Sequence, residues 1–172
     1  MQWNFYLSGI LYGKFYVKDN DIFVEKLDAA KGIWYPKETF TEESDDFFKK
    51  LCSRSLLDFF KNKKEYEEKI SEGADEFTAS SGETFSNRRN EVYFQRQKKF
   101  PKDLFYDEDG IYAVLMSGRD FAAVLVKNGE EDRTILSRWK KAFPEPPAAV
   151  NFLGTFFVDT RDGEKLATDV YL

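Results

Sequence analysis

Phe152-Leu153-Gly154-Thr155-Phe156-Phe157-Val158-Asp159-Thr160-Arg161-Asp162-Gly163-Glu164-Lys165-Leu166-Ala167-Thr168-Asp169-Val170-Tyr171-Leu172 is the stretch from which the rest of the chain is read. Two runs, 152–159 and 164–172, flank Asp162-Gly163, the strongest short-range hairpin signal a sequence offers. Both turn residues tolerate the positive φ of a type I′ turn, which would set Arg161 opposite Glu164. Counted outward from there, Leu153, Thr155 and Phe157 share a face with Leu166, Thr168, Val170 and Leu172. The other face then carries Phe152, Phe156, Val158, Ala167, Asp169 and Tyr171. Both faces are largely apolar in this register, so the hairpin is expected to need cover on both sides.

Residues 158–172, Val-Asp-Thr-Arg-Asp-Gly-Glu-Lys-Leu-Ala-Thr-Asp-Val-Tyr-Leu, resemble the opening strands of the catalytic domain in Xaa-Pro dipeptidyl-peptidase and cocaine-esterase-like serine hydrolases. In that family an Arg-Asp-Gly turn followed by Leu-Ala-x-Asp-x-Tyr begins an α/β-hydrolase domain. The resemblance implies a parent that hydrolyses peptides, esters or amides with a Ser-His-Asp triad and a Tyr in the oxyanion hole. None of those groups falls within the matched residues, which form an entry signature only.

The composition sets the chemistry aside on independent grounds. The chain has no histidine and one cysteine, Cys52. A Ser-His-Asp or Cys-His site cannot be built from it, nor can the usual His- and Cys-rich zinc sites. No Gly-x-Ser-x-Gly elbow is present. No catalytic, cofactor-binding or metal-ligating residue is therefore assigned, and no cofactor is expected. With 172 residues, 42% of them apolar and 18 of them Phe, the chain is expected to fold with a proper core. The net charge of −5 leaves no basic footprint for nucleic acid. Met1 to Gly13 is apolar but has no basic n-region and is soon followed by Lys14 and Lys18. No signal peptide or membrane span is read there, and the expected location is cytoplasmic.

Upstream of the hairpin, Phe143-Pro144-Glu145-Pro146-Pro147-Ala148-Ala149 is a stiff, extended linker. The expected organisation is an N-terminal α+β domain over 1–143, a Pro-rich linker over 144–150, and the first hairpin of a truncated α/β-hydrolase domain over 151–172. Before the linker, Ile135, Leu136, Trp139 and Phe143 recur at helical spacing, with acidic residues leading and Lys140-Lys141 trailing. Ile111–Met116 and Phe121–Lys127 make a second hairpin across Ser117-Gly118-Arg119-Asp120. Asp107-Glu108-Asp109-Gly110 has the look of a calcium loop but lacks the first and closing acidic ligands, so it reads as a turn.

In the first half, residues 3–27 read as strands, with Lys18-Asp19-Asn20-Asp21 as turn chemistry and Gly9 and Gly13 marking bulges or close backbone approach. Thr41 is the expected N-cap of a helix whose stripe runs through Phe47, Phe48, Leu51, Cys52, Leu56, Phe59 and Phe60. Cys52 lies in that stripe and reads as a packed residue. A second, mostly solvated helix is expected over 62–72, with a Glu65–Lys69 pair and Gly73 as its stop. Residues 73–90 read as a surface loop, with Phe77 and Phe85 as anchors and no P-loop sequence. Arg88, Arg89, Arg96, Lys98 and Lys99 alternate with Phe85, Tyr93, Phe94 and Phe100 in a way that resembles a single-strand nucleic-acid surface. On an acidic domain the solvent-facing reading of those cations is preferred.

Two functions follow from the sequence. The leading one is the non-catalytic N-terminal portion of a serine hydrolase of the named kind, with the rest of the hydrolase domain as its partner and self-association through 151–172 in its absence. The alternative is a stand-alone binding module such as an immunity protein. No membrane partner is expected under either.

Overall fold

In the computed structural model, residues 1–19, 21–89, 91–96, 101–119, 121–142, 152–159 and 165–171 are described. Leu7 and Ile10 pair across Ser8-Gly9, which take φ values of 48° and 89°. Positive φ at both centres is the twist that matches a two-residue hairpin, and Gly9 adopts it without steric cost. From this turn the chain runs back and forth as β1 (Gln2–Leu7), β2 (Ile10–Lys18) and β3 (Asp21–Asp28), flanked by the two-residue strands β4 (Ile33–Trp34) and β5 (Glu38–Thr39). After two helices a second meander follows: β6 (Glu76–Thr78), β7 (Thr84–Arg89), β8 (Val92–Gln95), β9 (Lys102–Asp107), β10 (Gly110–Ser117) and β11 (Ala122–Lys127). β1 pairs with β11 from Trp3↔Lys127 to Leu7↔Ala123, which fuses both meanders into one antiparallel sheet of eleven described strands. The fold class is α+β, mostly antiparallel sheet, with three α-helices among the described residues.

The helices are set by caps. Thr41 caps α1 (Glu42–Cys52) in a reciprocal capping box with Ser44. The apolar stripe does not continue as one helix to Phe60. Ser53 turns into the left-handed region at φ 54°, and Ser55 caps a new helix, α2 (Leu56–Ser71). Asp45 dictates the break. Its fully buried carboxylate accepts from the Leu56 and Leu57 amides at 2.9 and 3.2 Å and from Ser55 Oγ at 2.6 Å. One carboxylate thus satisfies donors that the start of α2 would otherwise leave bare. α2 is also less solvated than expected, since Tyr66 is fully buried. The expected Glu65–Lys69 pair does not form in this structure: Glu65 accepts from Ser80, and Lys69 reaches Glu72.

Alternation along the strands sorts the sheet into two faces. Trp3, Phe5, Phe15, Val24, Phe85, Tyr93, Leu104, Val114 and Leu125 are buried in the same cluster as Phe48, Leu56, Phe59 and Tyr66 of the helices. Aromatic rings dominate it: Phe15 meets Phe40 and Phe48 at 5.0 Å, and Trp3 meets Phe59 at 5.7 Å. Gly13 is required by this packing, because a Cβ there would lie 2.7 Å from the Phe48 ring. A β-bulge near Ile111 leaves the Ile111 amide free of the ladder, and Glu67 of α2 accepts from it at 2.9 Å. On the opposite face, Tyr112, Ala113, Val124 and Val126 pack with Leu136 of α3 (Ile135–Ala142).

Within 73–90, read as a loop, residues 76–78 and 84–89 are strands. Phe77 and Phe85, read as anchors, stand opposite each other on β6 and β7, both buried, with ring centroids 5.3 Å apart. Burial of the two rings outweighs the Gly- and Ser-rich composition between them. Among the described residues, no helix is long and apolar enough to cross a membrane.

Backbone proximity divides the chain into two units, Met1–Trp139 and Lys140–Leu172. The expected linker, residues 144–150, lies outside the described residues. In the second unit, β12 (Phe152–Asp159) and β13 (Lys165–Tyr171) form a two-stranded antiparallel sheet. Its register differs from the expected one. Val158 pairs with Leu166 and Phe157 with Ala167, whereas an Arg161–Glu164 pair would have placed Phe157 opposite Thr168. A one-residue slip exchanges faces. It gathers positions 154, 156, 158, 166, 168 and 170 on one face and sets Phe157 and Ala167 among Thr155, Asp159, Lys165 and Asp169 on the other. The charged positions thus all fall on one face, where they alternate with Phe157 and Ala167, and the other face carries none. The turn itself, 160–164, lies outside the described residues.

Candidate functional site

Lys102 begins β9, and the alternation that buries Leu104 points its side chain to the helix-covered face. It is 6% exposed and lies 2.8 Å from Glu83 Oε2, whose side chain is 22% exposed. Three further donors converge on Glu83: Tyr66 OH at 2.5 Å, Gln95 Nε2 at 2.8 Å and Ser81 Oγ at 3.3 Å. Gln95 closes the ring by accepting from the Lys102 amide at 3.0 Å. The Lys102 ammonium also lies 5.4 Å from the Tyr66 ring centre and 5.9 Å from that of Phe85. One residue each from α2, β8 and β9 therefore meets the turn between β6 and β7.

Burial alone would raise the Glu83 carboxyl, but the Lys102 charge and the converging donors outweigh it and hold the group below its ordinary value. Lys102 lies deeper, so burial dominates there and lowers its ammonium despite Glu83. Burial and the Glu83 hydrogen bond raise the Tyr66 phenol. Every member is spoken for: among the described residues, no buried side-chain nitrogen or oxygen lacks a partner. A lysine that acts as base or nucleophile needs its neutral form and access to a substrate. Here the ammonium is salt-bridged beneath a helix. The arrangement is a polar clamp that fastens α2 to β8, β9 and the β6–β7 turn.

The nucleophiles are no better placed for chemistry. Cys52 is buried, its thiol donates toward the Arg54 carbonyl at 3.6 Å, and burial pushes its pKa up to about 11. A thiol raised in this way is inert. Ser80 Oγ donates to Glu65 Oε2 at 2.5 Å, and that bond together with one from the Ser80 amide lowers the Glu65 carboxyl. A carboxylate held in its ionised form by a serine is a fixed acceptor, not a general base poised near neutrality.

Part of the aromatic-and-basic stretch is engaged elsewhere. Phe85 and Tyr93 are in the core, and Arg96 pairs with Glu76 at 2.9 Å. Lys98, Lys99 and Phe100, and the side chains of Arg88 and Arg89, lie outside the described residues. A different set, which the sequence reading passed over, comes together on the sheet face away from α1 and α2. Lys14 lies 4.6 Å over the Trp34 ring, and Lys37 lies 3.9 Å over Tyr16 and 5.4 Å from Phe23. Glu25 accepts from Tyr16 OH at 2.8 Å. Ile33 and Tyr35 beside them are exposed. Alternation could have placed Lys14, Tyr16, Phe23 and Glu25 on one face, but the contributions of Trp34 and Lys37 depend on β4 and β5 pairing with β3.

No protein family, curated protein or solved structure matches the chain.

Proposed function

We propose that the chain is the non-catalytic N-terminal portion of a cytoplasmic serine hydrolase that resembles Xaa-Pro dipeptidyl-peptidases and esterases. In this reading residues 1–143 are an accessory domain. The hairpin β12–β13 opens the catalytic domain, and the triad lies in later sequence. The observation that carries the reading is the antiparallel pairing of Phe152–Asp159 with Lys165–Tyr171 around Arg161-Asp162-Gly163, the element that the family resemblance calls for at that place. The closed clamp at Lys102 and the masked Cys52 thiol support a supporting role for the first unit.

One observation favours a second reading, a stand-alone binding module. The cation-over-aromatic face formed by Lys14, Tyr16, Phe23, Trp34 and Lys37 is a surface of a kind that recognises partners. Sequencing the transcript beyond the Leu172 codon separates the two. A continuing frame with Gly-x-Ser-x-Gly and a later His is the expected result for the hydrolase. A stop codon directly after Leu172 refutes it and leaves the binding module.

A further inference from the structure

β12 and β13 form a sheet of two strands, and each strand therefore has one edge that its hairpin partner does not occupy. A two-stranded hairpin is marginal by itself, and a third or fourth strand is what gives such an element independent stability. Phe157 and Val158, on opposite faces of β12, are 70% and 52% exposed. The two edges are not equivalent. Along β13 the order is Lys165-Leu166-Ala167-Thr168-Asp169. Turned antiparallel about Ala167, this segment sets Lys165 opposite Asp169, Leu166 opposite Thr168, and Asp169 opposite Lys165. The segment is thus charge-complementary to its own reverse. β12 carries its one charge, Asp159, at its end and has no cation to set against it.

We propose that β13 is a homodimerisation edge: it pairs antiparallel with β13 of a second copy about a two-fold axis at Ala167, making a continuous four-stranded sheet. Such an interface is isologous, so each opposite-charge pair occurs twice. Directly opposed unlike charges stabilise a ladder, and like charges in the same place oppose it. The pairing also keeps like faces together. The uncharged face of one copy, positions 156, 158, 166, 168 and 170, continues into that of the other. The inference does not rest on the hydrolase reading; it rests on the β12–β13 pairing and on the order of charges along β13.

Sedimentation equilibrium on four proteins tests it: the unaltered chain, Lys165→Asp, Asp169→Lys, and the double variant Lys165→Asp/Asp169→Lys. The unaltered chain should be a reversible dimer. Each single change sets like charges against each other at both ends of the ladder and should weaken the dimer about ten-fold or more. The double variant restores every unlike pair in reversed order and should dimerise like the unaltered chain. Ala167→Cys should also give a disulfide-linked dimer on mild oxidation, since the two copies of position 167 face each other at the axis. Far-UV circular dichroism and thermal unfolding check that the variants remain folded. An unaltered chain that stays monomeric overturns the proposal. So do single variants that dimerise undiminished, or a double variant no better than the singles.

Discussion

Replacing Glu83 by Gln would leave the Lys102 ammonium beneath α2 without its counter-charge. Lys102 is 6% exposed and Glu83 22% exposed, so neither charge can turn fully to water without moving the sheet or the helix. Removing one partner of a buried ion pair costs about 3–5 kcal/mol, chiefly because the other charge stays buried and uncompensated. The reciprocal change, Lys102→Met, should cost less, about 1–3 kcal/mol. Glu83 is nearer the surface and keeps its donors from Tyr66, Gln95 and Ser81. The double variant should cost less than the sum of the singles, by a coupling of about 1–3 kcal/mol. Urea unfolding at neutral pH, followed by tryptophan fluorescence, gives all three values. The pH dependence has a definite sign. Glu83 is held below its ordinary value, so its contribution is present above the unfolded-state pKa and lost as pH falls through the folded one. Lys102 is also lowered, so its burial penalty holds at neutral pH and is relieved as pH rises through the folded value. The cost of Glu83→Gln should therefore shrink from neutral to alkaline pH. A Glu83→Gln cost below about 0.5 kcal/mol, the level of an ordinary surface change, refutes the clamp. Additive single and double variants refute it equally.

Three other expectations concern the helix-covered core. Phe48→Ala should destabilise by about 3–5 kcal/mol and Leu56→Ala by about 2–5 kcal/mol, because both side chains are fully buried. Lys64→Ala, whose ion pair with Glu68 is exposed on both sides, should cost below about 1 kcal/mol, and equal effects in the same urea titration would place the buried face wrongly. Gly13→Ala should cost about 1–3 kcal/mol by forcing the Phe48 ring aside; a neutral or stabilising result would mean that the strand and α1 do not approach as described. The Cys52 thiol should react with a disulfide reagent at neutral pH only as fast as the fold opens, so urea near the midpoint should accelerate labelling. Rapid stoichiometric labelling of the native chain would contradict its burial.

What the sequence made legible was local. The hairpin across Ser117 to Asp120, the Thr41 cap and the helical spacing of Ile135 and Leu136 each depend on residues within a few positions of one another. Asp45 could be read only as a charge at a helix start, because its second role, capping α2, depends on how α1 and α2 meet. The unbroken stripe from Phe47 to Phe60 hid that junction, since apolar periodicity is blind to a left-handed residue at Ser53. Residues 73–90 were misread because strand signals over three to six residues are weak until Phe77 and Phe85 are known to share a core. The clamp was illegible for the same reason: Tyr66, Glu83, Gln95 and Lys102 sit on separate elements. The one available clue was the alternation of Lys102 with Leu104. Least readable was the pairing of β1 with β11, which joins the two ends of the first unit and has no local signature.

The proposed non-catalytic role predicts that the folded chain carries no activated serine. Intact-mass spectrometry after exposure of the folded chain to a fluorophosphonate, which phosphonylates activated serines, decides the point. The unmodified mass is the predicted result, since no His is present to activate a serine and Ser80 is engaged with Glu65. A stoichiometric adduct on any serine, abolished by unfolding the chain beforehand, would contradict the account.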